Sequence, residues 1–362
     1  MKPSRATFRS VTSLLGAASL VALLAGCNFH FHMWHRGLKK AVAEPIRPSY
    51  MPAPLDLAKV RPNEAGMVPI LMFHQIIPTG QKPKDLEVPS NVFRADMEKL
   101  YSLGYRPVNL SDYVEGKISC PPGTSPVILT FDDAVRGQLD YTPDGKIDPN
   151  CAVGVLQAMH TEHTDWPMKG TFFVLPRKGM TDYFYQPEYS QAKLQWLAQN
   201  GFELGNHTIH HLMGMNHWQD ARVEQEFAGA KTMIDQNVPN YKVDLLALPY
   251  GVFPKNKKLV ISGQAGGVSY HNICALRAEY NPAPSPVAKD FNPYYLPRIE
   301  PEFRGVSDQR FMLSYWLNYL QKNPMKRYVS DGDPNTLTVP AILAAQVDQK
   351  KVTADGLHLR TY

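Results

Sequence analysis

Between Val68 and Leu248, short apolar runs alternate with stretches of helical period, which confines the chain to an α/β architecture built on a parallel sheet. Val68 to Phe73, Val127 to Phe131, Thr171 to Leu175, Phe202 to Gly205 and Val243 to Leu248 read as strands. Between them, Phe93, Met97, Leu100 and Leu103 keep helical spacing after Ser90, an N-cap residue type, until Gly104 stops the run. A second helix spans Ser190 to Asn200 and ends at Gly201, and Val223, Phe227, Ala230 and Ile234 mark a third. This number of strand–helix units suits a barrel better than a small open sheet.

The strand ends carry the chemistry. Pro126-Val127-Ile128-Leu129-Thr130-Phe131 closes in Asp132-Asp133, and Phe202-Glu203-Leu204-Gly205-Asn206 leads into His207-Thr208-Ile209-His210-His211. In parallel α/β folds, ligand-handling groups gather at the C-terminal ends of strands. Side chains alternate along a strand, so two neighbouring aspartates converge on one site only where the strand gives way to a loop. On a helical turn His207 would share a face with His211, four residues on, or with His210, three residues on. Two imidazoles and a carboxylate leave a zinc ion net positive with open positions, the arrangement of a hydrolytic centre.

At the N-terminus, Lys2, Arg5 and Arg9 precede an apolar segment, Leu14 to Leu24, too short to span a bilayer and laid out like an export signal. It ends at Leu24-Ala25-Gly26-Cys27, which resembles the lipobox of bacterial lipoproteins. The expectation is a signal peptide over 1–26, lipidation and membrane anchoring at Cys27, and an exported protein facing the periplasm or cell exterior. A basic, Pro-rich tether over 27–64 would follow, its aromatic and His cluster from Asn28 to His35 suited to a membrane interface. Three more cysteines, Cys120, Cys151 and Cys274, allow one disulfide in an oxidising compartment, with Cys120–Cys151 the expected pair. Three of the 38 basic residues lie in the leader, and the rest nearly balance 33 acidic ones. That balance excludes nucleic acid as a partner and raises no objection to a neutral sugar polymer.

In order, VPILMFH (Val68 to His74), GYRPVNL (Gly104 to Leu110), VILTFDDA (Val127 to Ala134), KGTFFVLP (Lys169 to Pro176), FELGNHTIHH (Phe202 to His211) and LALPYG (Leu246 to Gly251) resemble the polysaccharide deacetylase family, carbohydrate esterase family 4. The likeness runs from about Pro69 to Arg298 and implies a catalytic domain over 65–300, with 301–362 as a helical extension or small appendage. It implies a distorted (β/α) barrel holding a divalent metal, usually zinc, that removes N-acetyl or O-acetyl groups from sugar polymers by attack of metal-held water. By the family's motifs, Asp132 is the general base, and Asp133, His207 and His211 hold the metal. Pro249 and Tyr250 shape the acetyl pocket, where a backbone N–H near Tyr250 would help an oxyanion.

The chain departs from the family pattern twice. Where the family carries an arginine that pairs with the base, this chain has Ala247, and Arg298, in Tyr295-Leu296-Pro297-Arg298-Ile299, is the candidate replacement from another strand. The family's late histidine acid is also missing after Arg298, while His74 closes an equivalent run at the opposite end of the domain. First and last strands of a closed barrel are neighbours, so a circular shift of this motif leaves the site unchanged, and His74 is assigned as general acid. Ala247 also leaves room for a catalytically impaired polysaccharide-binding lipoprotein on the same scaffold. A non-haem iron oxygenase shares the ligand set, but the strand–helix alternation argues against it.

Overall fold

The computed structural model describes residues 55–176, 183–301, 310 and 312–362. The signal, Cys27 and most of the tether expected from the sequence lie outside them. Seven strands form one parallel sheet: β1 (Ile70–Phe73), β2 (Tyr105–Pro107), β3 (Ser125–Asp132), β4 (Thr171–Val174), β5 (Glu203–Asn206), β6 (Leu245–Ala247) and β7 (Cys274–Leu276). Their order is β1-β3-β4-β5-β6-β7, with β2 beside the start of β3. Residues 296–299 complete the circuit: Leu296 bridges Leu276 of β7 and Ile299 bridges Leu71 of β1, both in parallel. The result is the distorted (β/α) barrel.

β3 is buried along its whole length, as a strand covered on both faces must be. One face of the sheet, with Leu71, Phe73, Leu129, Phe131, Phe172 and Val174, packs against helices α1 (Ser90–Ser102), α2 (Ala152–Glu162) and α3 (Ser190–Gln199). The other face lines the barrel interior with Ile70, Ile128, Phe173, Leu245, Ala247, Leu276 and Leu296. The two-residue period therefore turns Asp132 inward with Ile128, and Arg298 inward with Leu296. Helix α4 (Asp220–Asn237) closes the β5–β6 connection, and α5 (Leu313–Lys322) buries Leu313, Leu317 and Leu320.

Three sequence expectations are corrected. The tether does not extend to residue 64, because Leu57–Val60 is a helical turn capped by Asp56, and Asn63 and Glu64 are buried against the C-terminal part of the chain. That part is no separate appendage: Leu313 and Leu317 join the main core, and Tyr328 joins the cluster that fills the barrel. Cys120, Cys151 and Cys274 are all free and buried, Cys120 and Cys151 in different clusters on opposite faces of the sheet. Among the described residues no helix is long and apolar enough to cross a membrane.

Candidate active site

The parallel register assembles the site at the C-terminal mouth of the barrel. Phe73 pairs with Phe131, so the next residues, His74 and Asp132, come side by side, with His74 Nε2 3.9 Å from Asp132 Oδ2. β3 ends at Asp132, and Asp133 turns into the left-handed region (φ 73°), which swings its carboxylate toward the same space. Gly205 pairs with Phe173 and Asn206 with Leu246, which places His207 at the mouth beside Ala247. The ring of His207 bonds the Ala247 carbonyl through Nδ1 (2.8 Å), so Nε2 faces the carboxylates.

Asp133, His207 and His211 each offer a ligand atom within 4.8 Å of the others. Asp133 Oδ1 stands 3.4 Å from His207 Nε2 and 3.5 Å from His211 Nε2. Ligand atoms 2.0–2.1 Å from a tetrahedral zinc stand about 3.3–3.4 Å apart, so the spacing fits such an ion. Asp133 Oδ1 and His207 Nε2 are also buried without a hydrogen-bond partner, a costly state that a cation between them relieves. The residues present fit a divalent metal. A second group, Glu98, Glu162 and His163, is spanned by Arg94, whose guanidinium already pairs with both glutamates.

The His207–His211 segment is not the helical turn expected from its spacing. It is a loop in which Thr208 (φ 64°) and His211 (φ 51°) adopt left-handed backbone, and Thr208 Oγ1 accepts from the His211 N–H (3.1 Å). His210 turns away from the trio and pairs through Nδ1 with Glu226 (2.7 Å).

Arg298 grips both oxygens of Asp132, donating from Nη1 to Oδ1 (2.7 Å) and from Nη2 to Oδ2 (2.8 Å). Its Nε donates to the Arg277 carbonyl, which fixes the plane of the fork, and both side chains are almost wholly buried. Ala247 faces the same interior, so the cation missing from β6 arrives from residues 296–299 instead. Burial pushes the Asp132 carboxyl up, but the Arg298 guanidinium, through its charge and its hydrogen bonds, outweighs it and holds the group well below the usual range. Burial lowers His74, against the opposing pull of Asp132, and lowers His211, so both imidazoles are biased to the neutral form. Tyr250, half exposed, sets its ring 4.7 Å from that of His211, beside buried Pro249.

Three buried residues escaped the sequence reading. Gln138 donates to the main-chain carbonyls of both Asp132 (2.6 Å) and His74 (2.9 Å), tying the two strand ends together. Asn206 accepts from the Thr208 N–H and donates to the Phe227 carbonyl. Glu226 accepts from the N–H groups of Ile209 and His210. The one legible sign was Glu226, an acid one residue before Phe227 on the buried stripe of α4.

Residues 120–266 match the family model described as polysaccharide deacetylase, and this segment is a polysaccharide deacetylase domain, a class of hydrolase. Among solved structures, the chain is similar to a Streptococcus pyogenes deacetylase, PplD, in complex with acetate: 18% identity, TM-score 0.49, covering 65% of this chain and 92% of that one. A polysaccharide deacetylase from Bacillus cereus aligns at 20% identity and TM-score 0.48, over 65% of this chain and 64% of its own. IcaB from Ammonifex degensii aligns at 15% identity and TM-score 0.46, over 70% and 97%. No curated protein matches the chain.

Proposed function

We propose that the chain is a zinc-dependent deacetylase that releases acetate from an N-acetylated polysaccharide of the cell envelope or exterior. The observation that carries this reading is the pair of unpartnered buried atoms, Asp133 Oδ1 and His207 Nε2, facing a carboxylate held by Arg298. A zinc ion held by Asp133, His207 and His211 supplies a Lewis acid for the acetyl carbonyl and makes water acidic near neutral pH. Asp132 is ionised at any working pH, orients the attacking water and accepts its proton at Oδ2. Arg298 holds the carboxylate in plane and compensates its charge. His74, neutral at rest and 3.9 Å from that oxygen, takes up the proton and delivers it to the departing nitrogen. The C–N bond breaks, and the products are acetate and a free amine. Tyr250 and Pro249 wall the acetyl group, and a backbone N–H near Tyr250 would help the developing oxyanion.

The test is acetate release across peptidoglycan, chitin oligomers, poly-N-acetylglucosamine and acetylxylan, comparing wild type with Asp132→Asn. Release from an N-acetylated polymer, abolished in the variant, is the expected result. Polymer binding without release from any substrate would instead establish the non-catalytic binding reading. Cys27 anchors the protein to a membrane in this proposal, so Cys27→Ser is expected to move it into the soluble fraction, and unchanged membrane association would refute the anchor.

A further inference from the structure

The loop that carries His207 and His211 is strained. Thr208 and His211 both occupy left-handed backbone without being glycine, at a cost of about 1–3 kcal/mol each. Something outside the loop must hold it, and helix α4 does so at three successive points. The Phe227 carbonyl accepts from Asn206 Nδ2 (2.8 Å) at the loop's start. Glu226 Oε2 accepts from the N–H groups of Ile209 (2.9 Å) and His210 (3.1 Å), and Oε1 bonds His210 Nδ1 (2.7 Å). Gly229 leaves space for Ile209, whose Cδ1 would lie 2.3 Å from any Cβ there.

We infer that Glu226 is a positioning residue: its carboxylate sets the separation of His207 and His211 and thereby the affinity of the site for its metal. The magnitudes agree with that role. Hydrogen bonds to a charged acceptor contribute about 1.5–3 kcal/mol each, so three of them offset strain of this size. Glu226 is only 5% exposed, and its ring of donors leaves it no solvent role. It touches neither the metal position nor substrate, acting only through the two main-chain N–H groups and His210.

This inference rests on Asp133, His207 and His211 holding a metal, and the experiment separates the two. Zinc affinity of the full chain is measured by chelator competition, with cobalt substitution giving a visible absorption band that reports ligand geometry. Thermal unfolding of the metal-free protein serves as the stability control. Glu226→Ala is expected to weaken zinc binding about 10–100-fold, the range for groups that orient metal ligands, and to alter the cobalt band. Glu226→Gln keeps an acceptor for both N–H groups and a donor for His210, and is expected to stay within about threefold of wild type. A purely structural residue would lower the melting temperature and leave both metal readouts unchanged. If Glu226→Ala does not fold, Glu226→Asp decides, since its shorter arm cannot reach all three donors and should weaken binding several-fold. Affinity within twofold of wild type in the folded Ala or Asp variant overturns the positioning role alone. A wild-type chain that binds no zinc overturns the metal site itself.

Discussion

Two buried carboxylates, one at each end of the barrel, meet opposite fates. Asp132 at the C-terminal mouth and Glu64 at the N-terminal end are 2% and 4% exposed, and burial pushes both toward the neutral acid. Asp132 faces the Arg298 fork and stays ionised. Glu64 accepts from the Thr338 N–H (2.7 Å) and has Asp331 as a neighbour, and Arg360 pairs with Asp331 (3.7 Å). Its pKa rises to about 8. Desolvation alone therefore decides nothing; a committed cation does. One end keeps a permanent charge for chemistry, and the other folds around a neutral acid that joins residues 63–68 to 328–338.

The largest effect is expected on removing the cation. Arg298→Ala strands a buried carboxylate, so most acetate release should vanish, with a stability loss of about 3–5 kcal/mol in denaturant unfolding. Near-wild-type turnover would sink the pairing. Next, His74→Ala should bind zinc normally and lose about 10²–10⁴-fold in turnover, and full activity would rule out its proton role. Glu64→Gln should act in the opposite direction, adding about 4 kcal/mol of stability at pH 8 and little near pH 4.

The two carboxylates also predict opposite pH responses. The folded pKa of Glu64 lies above its unfolded value of 4.5, so its contribution is fully present below that pH and lost as pH rises toward about 8. Asp132 is depressed below 3.8, so its contribution is present above that value and lost on further acidification. Unfolding followed from pH 3 to 9 should show the alkaline loss vanish in Glu64→Gln alone; a wild-type-like slope in that variant would contradict the assignment.

The sequence exposed much of the mouth of the barrel because strand period and parallel register are visible in it. Leu296-Pro297-Arg298 puts the arginine on an apolar strand's inward face, and Phe73-His74 lies level with Phe131-Asp132. What stayed hidden depends on backbone turns and distant partners. Spacing alone could not distinguish a helical turn at His207–His211 from a loop with two left-handed residues. Nor could it show Gln138 binding two strand ends, or Glu64 inside the domain rather than in a tether.

The most direct test of the whole reading is to measure zinc content and acetate release on the same preparations of wild type and Asp133→Ala, before and after chelation. The expected result is one zinc per wild-type chain, acetate release that chelation abolishes and added zinc restores, and loss of both in the variant. Acetate release that survives both chelation and Asp133→Ala would contradict it.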